Sequence, residues 1–283
     1  MKYESSKRLF EYEGREITYG DIVTALHKVG ADECDILFVH SEISFGRIAG
    51  NMKRRELLDA LVSGLLETGV PTIMFPAFTF SFCNREDYDR ELSRTAMGML
   101  PEYVRKRPDA YRTDDPIMSV TILGDRAGFE GMDGDSSCGI GGIFHQLHKS
   151  GKKVKFLFFG TSPAKCFTFL HYVEEIRQVP YRYTRQFTGN VITNGEAVPK
   201  SVNVYVRYKD VQATLPACFY DDLLYGGIAE TVVLGRSEIT SVDEKKAYEY
   251  ISGLIDQDQY VFAKLPGSDT LEKEYTYGGV TTM

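Results

Sequence analysis

Short apolar runs alternate along this chain with segments of helical period, and that alternation leaves few folds open. Ile36-Leu37-Phe38-Val39-His40 is a short apolar run and predicts a central strand. Residues 54–66 then set Leu57, Leu58, Leu61, Val62, Leu65 and Leu66 at helical spacing. Thr72-Ile73-Met74-Phe75, closed by Pro76, predicts the next strand. Strand, helix and strand in that order mark an α/β fold. Upstream, residues 18–29 repeat Ile22, Val23, Leu26 and Val29 as a helix, with Thr18 and Asp21 as a capping pair and Gly30 as its stop. Downstream, helices are expected over 97–107, 143–149 and 243–255, and strands over 118–123, 190–193, 202–208 and 231–234. Asn194-Gly195 between two β-like runs predicts a hairpin. Residues 80–95 form a polar loop studded with aromatics, long enough to suggest function or motion. No repeat or linker divides the 283 residues, so a single domain is expected. Residues 1–17 are expected to be a polar, peripheral segment pinned by Phe10 and Tyr12, and residues 272–283 a flexible tail.

Composition excludes several classes. No apolar run approaches the roughly eighteen residues of a membrane span, and no secretory leader is visible behind Met1. Cys34, Cys83, Cys138, Cys166 and Cys218 are scattered and odd in number, which suits reduced thiols in the cytoplasm rather than a disulfide frame or a zinc ribbon. A formal charge of −7 argues against a general nucleic-acid binder. It would suit a cationic substrate only if the acid were focused in a cleft.

One stretch carries most of the chemistry. The apolar run Val154-Lys155-Phe156-Leu157-Phe158-Phe159 ends at Gly160-Thr161-Ser162-Pro163 and predicts a buried strand. Ser162 as N-cap and Pro163 at the first helical position then predict one helix continuing through Glu175. Residues three apart share a helix face, so Thr168, His171 and Glu174 form a row of hydroxyl, imidazole and carboxylate. The row lies near the carboxyl end of a strand, where open α/β sheets bind ligands. His171 and Glu174 read either as a base with its orienting carboxylate or as an ordinary ion pair on a helix surface.

Other groupings weigh less. His145 and His148 could join His171 and Glu174 around a metal, but a solvated helix face explains them better, and no metal is expected. Gly139-Ile140-Gly141-Gly142 lacks a preceding strand and matches no phosphate loop, so it reads as a turn. Ser162 lacks the setting of a nucleophile elbow. Cys166, five residues before His171, reads as a small buried hydrophobe pointing away from it. Phe78, Phe80 and Phe82 read equally as core or as pocket wall.

Four segments in order resemble the aminoglycoside 3-N-acetyltransferase family, acyl-CoA-dependent N-acyltransferases outside the GNAT fold. They are Ile36-Leu37-Phe38-Val39-His40-Ser41 with Phe45-Gly46; Phe75-Pro76-Ala77-Phe78-Thr79; Met97-Gly98, then Pro108 and Arg112-Thr113 with Pro116 and Ser119; and Thr168, His171 and Glu174, followed by Pro180-Tyr181-Arg182. The resemblance runs from about residue 18 to residue 241. It implies a three-layer α/β/α sandwich around a mixed sheet. It implies acyl-CoA as co-substrate, acetyl-CoA by default, in a cleft built partly by His40, Ser41, Ser44, Phe45, Gly46 and Arg47 and partly by the segment from Arg112 to Ser119. It gives His171 and Glu174 the deprotonation of an acceptor amine, and Thr168 a place near the thioester. Arg47, Arg112, Arg182 and Arg185 become candidates for the coenzyme's phosphates.

The chemistry agrees with the residue types. A protonated amine is no nucleophile, and an imidazole with an ordinary pKa near 6.5 can take its proton. Direct transfer needs no covalent enzyme intermediate. Two departures bear on the acceptor. Asp115 stands where the family usually has histidine before the proline. The loop of residues 81–95 mixes Arg85, Arg90 and Arg94 with acids, and the chain has no tryptophan. A polycationic antibiotic favours a uniformly acidic wall, so a nucleotide-linked amino sugar of surface-polysaccharide synthesis is the preferred acceptor and an aminoglycoside the alternative. An amide hydrolase and a non-catalytic ligand-binding member remain the readings of other classes. A homo-oligomer is allowed by the sequence, not indicated by it.

Overall fold

The strands Ile36–Ser41 and Val154–Phe159 are buried along almost their whole length, which requires cover on both sides of the sheet they form. The computed structural model describes residues 3–50, 52–126, 128–132, 134–267 and 270–275. Its main sheet has seven strands in the order Ala229–Leu234, Ser237–Asp243, Val154–Phe159, Ile36–Ser41, Thr72–Pro76, Val120–Gly124 and Tyr111–Arg112. Ile36–Ser41 runs parallel to Val154–Phe159 and to Thr72–Pro76, and the outer strands pair antiparallel.

Side chains alternate faces along a strand, and each face has its own core. Ile36, Phe38, Met74, Phe156 and Phe158 point into one layer with the helices Ile143–Lys149, Phe169–Ile176 and Glu244–Gln257. Leu37, Val39, Ile73, Phe75, Leu157 and Phe159 point into the other, with Tyr19–Lys28, Arg54–Glu67 and Met99–Arg105. The chain is therefore an α/β protein, a three-layer α/β/α sandwich around a mixed β-sheet. The capping box at Thr18 and Asp21 starts the first helix as expected.

Several local expectations are corrected. The N-terminal segment is not merely polar: Arg8–Tyr12 pairs with Arg15–Thr18 and with Arg47–Ile48, and Leu9, Phe10 and Ile17 enter the second core. The loop of residues 80–95 holds a short 3-10 turn, Phe82–Asn84, and a two-residue strand, Tyr88–Asp89, laid parallel on Val191 and Ile192. The hairpin is longer than its apolar ends suggest: Arg182–Thr193 pairs with Glu196–Arg207 throughout, around Asn194 (φ 52°) and Gly195 (φ 79°). Of the expected flexible tail, Glu272, Lys273 and Glu274 are exposed, Tyr275 packs against Phe187, and residues 276–283 lie outside the described residues. No described helix is long and apolar enough to cross a membrane.

The single helix expected from Pro163 onward is two helices, Pro163–Cys166 and Phe169–Ile176. Phe167 leaves helical geometry at φ −80°, ψ 77°. Its ring packs edge-on against Phe156 and Phe158 at 5.4 and 5.2 Å, so burial against the sheet overrides helix continuity. Ser162 takes the N-cap position in extended geometry without a capping side-chain hydrogen bond.

Candidate active site

The break at Phe167 delivers Thr168 to the mouth of the second helix and His171 to its first turn. Both line a cavity of about 630 Å³ with Phe78, Phe80, Met97, Met118, Leu170 and Arg207. That volume is ordinary for a small-molecule site. The three phenylalanines left open by the sequence all lie in the core, and Phe78 and Phe80 also form cavity wall. Phe80 holds φ 56°, a left-handed backbone that a bulky residue adopts only under constraint. The constraint is visible: Ser81 N donates to Pro116 O at 3.0 Å and Asn84 N to Phe80 O at 3.0 Å.

Glu174 lies behind His171 and is 2% exposed. His171 Nδ1 lies 3.0 Å from Glu174 Oε2, Arg182 Nη2 donates to the same oxygen at 2.9 Å, and Tyr181 Oη donates to Oε1 at 2.7 Å. Burial alone would raise the Glu174 pKa; Arg182, His171 and Tyr181 overcome it and bring it down to about 2. An ionised Glu174 is an acceptor at Oε2, which selects Nδ1–H on His171; Arg182 Nη2 lies 3.1 Å from the same nitrogen and gives its hydrogen bond to Oε2. Nε2 is then the nitrogen left to the cavity. Burial first, and the Arg182 guanidinium second, hold His171 below the usual histidine range against the pull of Glu174. The ring is neutral at neutral pH, with a free lone pair. Arg182 is fixed by Nη1 donating to Tyr205 O at 2.8 Å.

His40, buried on the central strand and outside the cavity's lining, lies beside Thr168. Its ring stacks on Phe158 at 5.1 Å, and Nε2 lies 3.4 Å from Thr168 Oγ1. Burial pushes its pKa down to about 3. Thr168 thus contacts His40 rather than completing a row with Glu174. Cys166 is half-buried and lines the cavity, a correction to the buried hydrophobe expected there, and burial raises its thiol pKa.

The other expected site residues divide. Ser41 ends the central strand with a buried Oγ that has no hydrogen-bond partner. Ser44 Oγ donates to Gly160 O at 2.8 Å, tying the turn after that strand to the loop that enters the site. Phe45 is buried between Phe10 and Phe159. Gly46 is required by close approach, since a Cβ there would lie 2.6 Å from Glu11 O. Arg47 is exposed and pairs with Glu11 at 3.0 Å. Arg112 and Ser119 are buried and do not line the cavity. Arg112 donates to the carbonyls of Ala77, Ser93 and Arg90, and Ser119 Oγ donates to Ala77 O at 2.8 Å. They hold the strand end from which Phe78 and Phe80 project. Asp115 Oδ1 accepts from Ile117 N, Met118 N and Ser137 Oγ, a structural clamp under Met118.

The cations expected to meet phosphate are mostly engaged: Arg182 with Glu174, and Arg185 over the rings of Phe187 and Tyr275. Lys165 and Arg207 are the charged residues in the cavity's described lining, and sequence reasoning missed both. Arg207 had a signal. Counting outward from the two-residue turn pairs it with Arg182, and cross-strand partners share a face. The imagined metal cluster is not assembled, since His148 pairs with Glu244 at 2.7 Å and His145 Nδ1 accepts from Gly141 N. No group of three metal-binding side chains occurs among the described residues.

Residues 38–256 match the family model of aminoglycoside 3-N-acetyltransferases. No curated protein sequence matches. Among solved structures, the fold is similar to aminoglycoside acetyltransferase AAC(3)-Xa, with TM-score 0.69 and 20% identity over 85% of this chain and 93% of that one. It is similar to AAC-IIIb in its binary complex with CoASH, with TM-score 0.69 and 19% identity over 85% and 97%. It is also similar to sisomicin-bound AAC-VIa, with TM-score 0.68 and 16% identity over 85% and 98%. At these identities the likeness is one of fold.

Proposed function

This chain belongs to the aminoglycoside 3-N-acetyltransferase family, acyl-CoA-dependent N-acyltransferases, and on that premise we propose that His171 and Glu174 carry an acyl group's transfer, acetyl by default, to the primary amine of an amino sugar. One observation carries the reading. A cavity-lining imidazole has Nδ1 committed to a buried, ionised carboxylate at 3.0 Å, which leaves Nε2 to accept a proton.

In this reading the amine gives its proton to His171 Nε2 as its nitrogen attacks the thioester carbonyl. Glu174 fixes the tautomer and stabilises the imidazolium that forms. The tetrahedral intermediate collapses with loss of the thiolate, which takes a proton, and the amide leaves. Thr168 Oγ1 is the hydroxyl available beside the carbonyl. Cys166 is not needed as a nucleophile, and its raised pKa disfavours the thiolate.

The residues fit acyl-CoA as co-substrate. The orphaned Ser41 Oγ sits at the carboxyl end of the central strand, where α/β sheets bind ligands. His40 and Ser44 belong to that same strand end and turn, and Phe45 and Gly46 shape it. Arg47 at its outer side and Lys165 at the rim are the cations suited to phosphate. Arg112 and Ser119 serve the site through the wall they hold.

The finer acceptor is a nucleotide-linked amino sugar. The loop arginines do not support that choice as the sequence suggested, because Arg90 and Arg94 pair with Glu91, Asp114 and Glu102 outside the cavity. The support is the wall itself, which carries Lys165 and Arg207. Sisomicin in the similar AAC-VIa structure is the observation that favours the aminoglycoside alternative.

The test is thiol release from acetyl-CoA over a panel of aminoglycosides, nucleotide-linked amino sugars and simple amino sugars, with His171→Ala beside it. Release that needs both an amine and His171 is expected. Release of acid without any amine would return the hydrolase reading, and an unimpaired His171→Ala would remove the proposed base.

A further inference from the structure

The cavity carries a charge pattern that the base and its carboxylate do not use. Lys165 and Arg207 are the charged side chains in its described lining, and both are cations. Lys165 is exposed on the short helix Pro163–Cys166, at the rim. Arg207 is half-buried at the end of the long hairpin, directly opposite Arg182.

That pairing is unfavourable by itself, since like charges opposite one another on a sheet face repel. Arg182 turns inward to Glu174 and to the Tyr205 carbonyl. Arg207 is the guanidinium of the pair that meets the cavity. Burial and the neighbouring Arg182 lower its pKa to about 10, so it stays charged at neutral pH. It also stands close enough to the base to help depress the His171 pKa. Arg207 is therefore a neighbour of the reacting centre rather than of the rim.

An anion at Arg207 has two conceivable sources, and the reaction separates them. The thioester carbonyl, the attacking nitrogen and His171 Nε2 must meet in one place during transfer. The coenzyme's phosphates lie at the far end of the pantetheine arm from that thioester. They cannot reach Arg207 while the thioester is at His171. A group attached close to the acceptor's own amine can.

We propose that Arg207 binds an acid group of the acceptor, a phosphate or carboxylate carried on the same sugar as the reacting amine. The inference deepens the proposed N-acyl transfer and rests on it. Guanidinium meets such oxyanions through paired hydrogen bonds, which also fix the sugar's orientation. A second ammonium at that position, as in a polycationic aminoglycoside, would meet Arg207 with like charge. A sugar linked to a nucleoside diphosphate through C1 carries a suitable phosphate on the ring itself.

Paired acceptors test this. Each neutral amino sugar is assayed beside its 1-phosphate, its 6-phosphate, its 6-carboxylate and its nucleoside-diphosphate derivative, with sisomicin as the polycation. Wild type is expected to prefer at least one anionic partner by tenfold or more in kcat/KM. Arg207→Gln should erase that preference through the acceptor KM and leave the acyl-CoA KM unchanged. Arg207→Lys should restore part of it. Equal or better use of the neutral sugar or of sisomicin by wild type overturns the inference and leaves N-acyl transfer standing. So does an Arg207→Gln enzyme that raises the acyl-CoA KM and keeps the acceptor preference. The wild-type comparison needs no variant, so it decides even where Arg207→Gln does not fold. Absence of thiol release with every amine refutes the proposed function first, and the inference with it.

Discussion

Arg182 Nη2 lies 3.1 Å from His171 Nδ1, so a permanent cation stands against the group proposed to take a proton. The same nitrogen holds Glu174 Oε2 at 2.9 Å, which explains the arrangement. Arg182 keeps Glu174 ionised in a place where burial would protonate it. The cost is a less basic imidazole.

That trade predicts a shifted pH profile. The acid limb of kcat/KM reports protonation of the free enzyme's base. With His171 depressed by burial and then by Arg182, the limb should fall below the ordinary histidine value of about 6.5. Arg182→Gln removes the second cause and should move the limb upward, while kcat falls because Glu174 loses its clamp. Rate profiles of the two enzymes check this, and a limb that stays or moves down refutes the coupling.

The dyad itself is tested by its two halves. His171→Ala should lower kcat by about 10²–10⁴, the usual share of a general base. Glu174→Gln keeps the size and loses the charge, so it should lower kcat as well, with a smaller effect on the KM for acyl-CoA. Steady-state kinetics with a saturating acceptor measure both. A drop confined to acyl-CoA KM would move these residues from proton transfer to coenzyme binding.

The contact of His171 with Glu174 was legible because the spacing alone sets the two on one face. What hid the rest was local. Phe167 looks like a helical residue, and only the sheet beneath it turns it out of the helix. The strand Ser237–Asp243 escaped because its centre is polar: Thr240 is buried with its hydroxyl between Thr231 and Tyr220, and Ser241 donates to the Val29 carbonyl. The hairpin showed only its apolar ends, since Thr184, Gln186 and Thr188 face solvent around Phe187. Its turn, however, fixed the register, and through it the pairing of Arg182 with Arg207.

Acid should destabilise the fold in two steps. His40 is buried and neutral, with its pKa lowered to about 3. An unfolded chain binds that proton near 6.5, so stability is lost as pH falls from about 6.5 toward 3. Glu174 is the carboxylate case: its stabilisation is present above about 4.5 and is lost as pH falls toward 2. Melting temperature against pH should slope down below about 6.5 and steepen below about 4.5. His40→Phe removes the first group and should flatten the upper part of that slope. An unchanged slope would show that His40 is not the group responsible.

Arg112 should behave as a structural residue rather than a phosphate ligand. It is 5% exposed and donates to three carbonyls and to Ser119 Oγ, and its guanidinium lies 5.0 Å from the Tyr88 ring centroid. Arg112→Met strips the Arg90 and Ser93 carbonyls of this donor and leaves the Ala77 carbonyl with Ser119 Oγ alone, in a largely buried place, at a cost on the order of 3 kcal/mol. Ala77 would lose one of its anchors, and the wall of Phe78 and Phe80 would loosen. The expected result is a lower melting temperature and a raised acceptor KM, with the KM for acyl-CoA changed little in the folded fraction. A variant that melts normally and loses only its affinity for acyl-CoA would instead put this guanidinium on the coenzyme.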